Sequence, residues 1–96
     1  MITHVVLFKF KPETTEAEIQ QLAEGLGGLP QLIDEIREFR FGADVIRSER
    51  SYDLGLVSSF EDLEALQRYQ VHPEHQKVVA LVKAIASGVV AVDFAD

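Results

Sequence analysis

Five residues of this chain have types and settings that could do chemistry: His4, Tyr69, His72, His75 and Asp93. All three histidines of the protein fall in apolar or helix-start settings, where a buried imidazole needs a hydrogen-bond partner. Asp93 is the natural partner. It stands on a mostly apolar segment, in step with Val89 and Ala91, where an unpaired carboxylate is costly to bury. An aspartate holding one nitrogen of His75 would leave the other free to act as a base, the arrangement that general acid–base sites use. Tyr69 precedes His75 across Pro73, so its phenol can reach the same cavity. Tyr69, His75 and Asp93 are therefore the candidate catalytic group, and a plainer reading stands beside each. His72 next to Pro73 sits where a capping residue would. His4 and Asp93 are equally read as satisfied polar residues of a core, and Tyr69 with His75 as a phenol and an imidazole tying a bent helix to a sheet. Zinc held through His72-x-x-His75 is disfavoured by Pro73 and by the lack of further ligands.

The elements that must position these groups follow from hydrophobic period and punctuation. From Thr3 to Lys11, residues His4, Val6, Phe8 and Phe10 alternate with Val5, Leu7, Lys9 and Lys11, which is a strand buried on one face and partly on the other. Thr15-Glu16-Ala17-Glu18 reads as a capping box opening a helix whose Ile19, Leu22, Ala23 and Leu26 share a face. Gly25 to Gly28 lacks the context of a phosphate loop and reads as the end of that helix. Leu29, Leu32, Ile33 and Ile36 then form a short helical connector before a second strand through Phe39 and Phe41. Asp44 to Ser51 is a polar loop, and Tyr52 to Phe60 a third strand with Tyr52, Leu54, Leu56, Ser58 and Phe60 on one face. Ser59 to Asp62 opens a second helix carrying Leu63, Leu66 and Tyr69 inward. His72-Pro73 breaks it. Its continuation buries Val78, Leu81, Val82 and Ile85, stops near Gly88, and leaves Val89 to Phe94 as a fourth strand.

The order β-α-β-β-α-β defines an α+β, ferredoxin-like domain with a four-stranded antiparallel sheet, spanning residues 1–96. One sheet face is covered by helices. The other, read as carrying His4, Val6, Phe8, Leu56, Val89 and Ala91, is too apolar for water and calls for a second copy of the chain, over an interface above about 1,000 Å². Candidate substrate-binding residues are His4, Val6, Phe8, Leu26, Leu56 and Val78.

Composition narrows the function classes. Ninety-six residues with 47% apolar and 26% charged side chains is one ordinary globular domain. No apolar run reaches the roughly 20 residues of a membrane span, and the opening lacks a signal-peptide pattern, so the expected location is cytoplasmic, away from membranes. With no cysteine, neither disulfides nor thiolate metal ligands are available. A formal net charge of −7, with the basic residues interleaved among acidic ones, argues against nucleic acid as a partner.

Four segments in order, His4 to Lys11, Tyr52 to Phe60, Tyr69-Gln70-Val71-His72-Pro73-Glu74-His75 and Val92-Asp93-Phe94, resemble the stress-responsive α/β barrel (Dabb) family. That resemblance implies two chains pairing into a dimeric α/β barrel. It also implies chemistry, because a plant cyclase of the family closes a linear polyketide thioester by an aldol reaction without metal or organic cofactor. The positions matching Tyr69 and His75 are catalytic there, the match to Asp93 supports the histidine, and the match to His4 lies in the pocket. The implied roles are His75 as base, Asp93 as its orienter, Tyr69 as donor to a developing oxyanion, and His4 as a secondary polar contact. Leu26 stands where the cyclase has a pocket tyrosine, and this chain has no tryptophan where that pocket uses one, so its substrate does not carry over. Some plant members hold magnesium through backbone carbonyls in the region matching Pro30 to Ile36; otherwise no cofactor is implied. Two function classes remain: a cofactor-independent enzyme or binder of a hydrophobic small molecule, and a non-catalytic structural stress protein acting as a stable oligomer.

Overall fold

A computed structural model describes all residues from Met1 to Asp96. The elements in chain order are β1 (Ile2–Phe10), α1 (Glu16–Leu32), β2 (Ile36–Ala43), β3 (Leu54–Phe60), α2 (Leu63–Val71), α3 (Pro73–Ile85) and β4 (Ala86–Ala95). The strands form one sheet in the order β2-β3-β1-β4, with every neighbouring pair antiparallel. This is the ferredoxin-like arrangement, in which β1 lies at the centre between β3 and β4. No helix is long and apolar enough to cross a membrane.

α1 begins with the expected capping box: Glu18 N–H donates to Thr15 Oγ1 at 3.2 Å and Thr15 N–H to Glu18 Oε1 at 2.9 Å. It does not stop at Gly25 to Gly28. The helix runs through all three glycines and Pro30, and the segment expected as a separate connector is its last turns. Its apolar period explains this, since Leu22, Leu26, Leu29 and Ile33 are almost completely buried and keep one helical stripe on the sheet. Burial of such side chains is worth about 1.5–3 kcal/mol each, which outweighs the roughly 1 kcal/mol that a helical glycine costs. Gly25 has a packing reason of its own. A Cβ there would come within 3.3 Å of Val78 Cγ2 and 3.6 Å of Leu81 Cδ1, so its absence lets α1 approach α3.

Smaller corrections have similarly local causes. β3 starts at Leu54, after Tyr52, and β4 starts at Ala86, ahead of Gly88. Asp62, not Ser59, caps α2, accepting from Ala65 N–H at 2.8 Å, while Ser59 belongs to β3 and donates to Glu38 at 3.0 Å. That cap turns Leu63 outward to 63% exposure, and Ala65 with Leu66 and Tyr69 makes the buried stripe. In α3, Val78 and Ile85 are buried while Leu81 and Val82 are partly so.

The largest correction concerns the sheet faces. Val6, Phe8, Leu56 and Phe60 lie under the helices in the core, so they do not form the uncovered face. The uncovered face carries the alternate residues, which the strand register sets side by side: Val5, Leu7, Val57, Val90 and Val92, with Phe94 beyond them. Leu7 and Val57 there are more than a third exposed, and Val90, Val92 and Phe94 about half. β4 is an edge strand, and its residues are exposed on the helix side as well. A cleft therefore opens between β4 and α3.

Because the glycines of α1 are helical and none has a positive φ, Gly28→Ala is expected to stabilise the protein. Nothing lies within 4 Å of a Cβ at that position, so the gain should approach about 0.5–1 kcal/mol. Urea unfolding checks it, and a loss of stability would show that Gly28 ends the helix after all.

Candidate active site

The break between α2 and α3 builds one side of the site. Pro73 has no N–H to continue α2, and its fixed φ suits the first turn of a new helix. His72, extended at φ −64° and ψ 136°, closes α2 and caps α3, its Nδ1 accepting from Glu74 N–H at 3.1 Å. That is the expected capping role. With Glu74 N–H diverted to His72, the Gln70 carbonyl accepts instead from His75 Nδ1 at 3.1 Å and from Gln76 Nε2 at 2.6 Å. A carbonyl only accepts, so the neutral His75 ring carries its proton on Nδ1 and keeps an unprotonated Nε2. Burial pushes the His75 pKa down, the Gln70 hydrogen bond opposes that, and the nearby His4 and His72 lower it further.

Tyr69 stands on the last turns of α2, its ring centroid 4.3 Å from that of His75 and 4.8 Å from that of Phe60. It is only 1% exposed, and burial raises the pKa of its phenol, keeping the hydroxyl protonated. Its hydroxyl has no hydrogen-bond partner in the chain, yet no buried polar atom is left sealed and unpaired. Tyr69 lines a cavity, and its hydroxyl is not sealed off from open space.

The expected His75–Asp93 pair does not form. Asp93 Oδ1 is bound to His4 Nδ1 instead, because antiparallel pairing of β1 with β4 sets His4 directly opposite Asp93, where facing side chains are close neighbours. His75, on the helix layer, takes a backbone carbonyl. His4 is buried at 7% exposure, and the Asp93 side chain is 39% exposed. Partial exposure moderates the cost of the carboxylate, and the carboxylate satisfies the buried ring. His4 then donates from Nδ1 and leaves Nε2 free, and its ring stands edge-on to Tyr69 at 6.4 Å.

These groups meet at one cavity of about 310 Å³ between α3 and the sheet. His4, Val6, Phe8, Leu26, Leu56 and Val78, singled out from the sequence, all line it, as do Tyr69 and His75. Asp93 does not; it holds His4 from behind. The sequence reading did not assign to it Val79, Val82 and Lys83 of α3 or Val89 and Ala91 of β4. For Val79 and Val82 the signal was the stripe four and seven residues along α3 from His75, and for Val89 and Ala91 the alternation of the last strand; for Lys83 there was none. An apolar box with a phenol donor and two imidazole acceptors can bind and polarise a carbonyl and move a proton beside it. A larger hollow of about 510 Å³ lies by Phe10, Arg47 and Asp53, but its charged groups satisfy one another: Arg47 binds Asp53 at 2.7 Å and its N–H binds Asp44 at 2.6 Å.

The zinc reading does not fit the residues present. No cluster of three or more His, Cys, Asp or Glu side chains is arranged to hold an ion, and His72 and His75 each have Nδ1 engaged within the chain. Across Pro30 to Ile36, the Ile33 carbonyl accepts from Ile36 N–H at 3.3 Å and the Asp34 carbonyl from the Arg37 guanidinium at 2.9 Å. The Arg37 charge opposes a divalent cation at the Asp34 carbonyl.

With that geometry in hand, comparison with known proteins is informative. Residues 2–96 match the family model described as Stress responsive A/B Barrel Domain. The chain is 34% identical over 93 residues to an uncharacterised protein of Streptomyces coelicolor, covering 95% of this chain and 96% of that one. It is 30% identical over 76 residues to olivetolic acid cyclase of Cannabis sativa, covering 77% of this chain and 75% of the cyclase. Its fold matches that of a dimeric ferredoxin-like protein of unknown function from Thermobifida fusca with a TM-score of 0.90 and 30% identity, over 99% of this chain and 90% of that one.

The burial of His75 predicts a pH signature. Because the His75 pKa lies below its ordinary 6.5 in the folded state, the unfolded chain takes up that proton first as pH falls. This contribution to stability is complete above pH 6.5 and is lost as pH drops towards the folded value. Urea unfolding between about pH 8 and pH 5 should show the decline, and His75→Gln should flatten it. In the same protein Asp93→Asn should alter the nitrogen NMR shifts of His4 and leave those of His75 in place; the reverse pattern would restore the His75–Asp93 pair.

Proposed function

This chain belongs to the stress-responsive A/B barrel domain family, and on that footing we propose that it is a homodimeric, cofactor-independent acid–base enzyme acting on a largely apolar carbonyl compound. The observation that carries the reading is Tyr69, whose hydroxyl has no partner in the chain, on the wall of an apolar cavity beside two imidazoles with free Nε2 atoms. Similarity to a protein named olivetolic acid cyclase supports carbonyl chemistry of the aldol kind.

In this reading Tyr69 donates to the carbonyl oxygen while a base takes a proton from the adjacent carbon, and the electron pair moves onto that oxygen as an enolate. The enolate carbon attacks a second carbonyl, and the proton returns to the alkoxide formed. His4 is the better-placed base, because an imidazolium formed on it lies against the Asp93 carboxylate. Burial disfavours a charged His75, which stays neutral and holds the Tyr69 ring face. The base thus moves from His75 to His4, with Asp93 still the orienter. A second reading draws on the packing of Tyr69 against Phe60 at 4.8 Å, which is also how a core tyrosine looks; it makes the protein a non-catalytic stress-response oligomer.

The two are separated by assaying wild type, Tyr69→Phe, His4→Gln and His75→Gln with polyketide-like thioesters and other hydrophobic carbonyl compounds. Loss of Tyr69 or His4 should lower turnover by about 10² to 10⁴-fold, the usual contribution of a positioned acid or base. If no compound binds and the variants keep wild-type assembly and melting temperature, the catalytic reading is abandoned. If none binds and melting collapses, the structural one replaces it.

The homodimer rests on the uncovered apolar face of Leu7, Val57, Val90, Val92 and Phe94 and on the similarity to a protein described as dimeric. Contiguous apolar patches of this kind mark interaction surfaces. Light scattering at micromolar concentration should give twice the chain mass, and Val92→Asp, placing a charge in the middle of that face, should give the monomer mass; a monomeric wild type would refute the pairing.

A further inference from the structure

The residues lining the cavity differ between its two ends. Along α3 its wall runs from His75 through Val78, Val79 and Val82 to Lys83. At about 1.5 Å of rise per residue, Lys83 lies roughly 12 Å from His75 along the helix axis. The facing strand gives the same measure, because β4 runs back from the α3 terminus and Asp93 and Val89 are separated by roughly 13 Å at about 3.3 Å per residue. The acid–base groups sit at one end, the exposed Lys83 borders the other, and the wall of α3 between them is aliphatic.

Lys83 is also unpaired in a chain with acidic groups to spare. Of nine basic residues against sixteen acidic ones, Lys9, Lys11, Lys77, Arg37, Arg47 and Arg68 each hold an oxygen acceptor. Lys83, Arg40 and Arg50 do not, and of these only Lys83 borders the cavity. The carboxylates sit elsewhere, leaving its positive charge for something outside the chain.

We propose that Lys83 anchors an anionic terminus of the substrate, so that the site selects a medium-length aliphatic carbonyl compound ending in a carboxylate or phosphate over its neutral counterpart. The inference rests on the proposed acid–base reading of the same cavity and adds the substrate class. Lysine suits the task as a mobile point charge that takes either anion. Complementing the C-terminal end of α3 is the competing role, and it predicts an effect on stability with no selectivity.

The test uses three probes of matched length: methyl heptyl ketone, the same ketone with a terminal carboxylate, and the same ketone with a terminal phosphate. Calorimetric titration of wild type, Lys83→Met and Lys83→Arg reads the ratio of anionic to neutral affinity. Wild type should prefer at least one anionic probe by about fivefold, the upper range for an ion pair open to solvent, and the preference should shrink with added salt. Lys83→Met should bring the ratio to one, and Lys83→Arg should restore it. Carboxylate and phosphate arms tell the two sources of charge apart. Equal binding of all probes by wild type, or a ratio unchanged in Lys83→Met, overturns the anchor and leaves the acid–base reading standing. Failure of every probe to bind overturns both.

Discussion

The helix side of the site depends on the missing N–H of Pro73. An uninterrupted helix would have given the Gln70 carbonyl to the amide four residues on, and its fixed period would have set Tyr69 and His75 in different directions. The break sends Glu74 N–H to His72 and leaves the Gln70 carbonyl for His75. It lets the last turn of one helix and the first turn of the next meet with ring centroids 4.3 Å apart. One covalent constraint thus fixes the orientation of the histidine, its tautomer and its distance from the phenol. The Gln76 side chain adds a second donor to the same carbonyl, which holds that acceptor in place.

The sheet supplies the opposite wall by a different rule. Antiparallel register is a matter of counting, and with Ile2 opposite Ala95 it sets His4 against Asp93. The pairing was legible in principle, since both residues lie near the chain ends on strands that run antiparallel. It was missed because His75 offered a nearer match in kind. What the sequence could not supply was the acceptor that His75 uses, a backbone carbonyl freed by the helix break, which carries no residue signature. Lys83 went unnoticed for a comparable reason, because a lysine in the last turn of a helix is ordinary and only the path of β4 shows that it stands at a cavity mouth.

Element order, the capping box at Thr15 and the helix break were read directly, because each depends on near neighbours in sequence. The two larger errors came from the same habit of local reading. Gly25 to Gly28 looks like a stop, yet Leu22, Leu26, Leu29 and Ile33 continue one stripe across it, and the long-range burial of that stripe decides. On β1, Val5 and Leu7 are as apolar as Val6 and Phe8. Alternation therefore shows that there are two faces and not which one lies under the helices. That choice is made by the handed path of the helical crossovers, a property of the whole chain that no single strand carries.

The Tyr69 hydroxyl is the point where stability and function part. Its ring is buried against Phe60 and His75, and a phenylalanine would occupy the same space with the same contacts. The oxygen forms no hydrogen bond within the fold, so it adds nothing there to offset leaving water. An unbonded hydroxyl in an apolar setting lowers stability relative to the plain ring, and a core built only for packing has no use for it. His4 differs, since its ring is satisfied by Asp93 and would be orphaned without it. The polar groups of this site accordingly divide into one pair that the fold itself requires and one donor that it does not. It is the donor without a structural purpose that faces the cavity, and that asymmetry favours a bound ligand over a merely well-filled core.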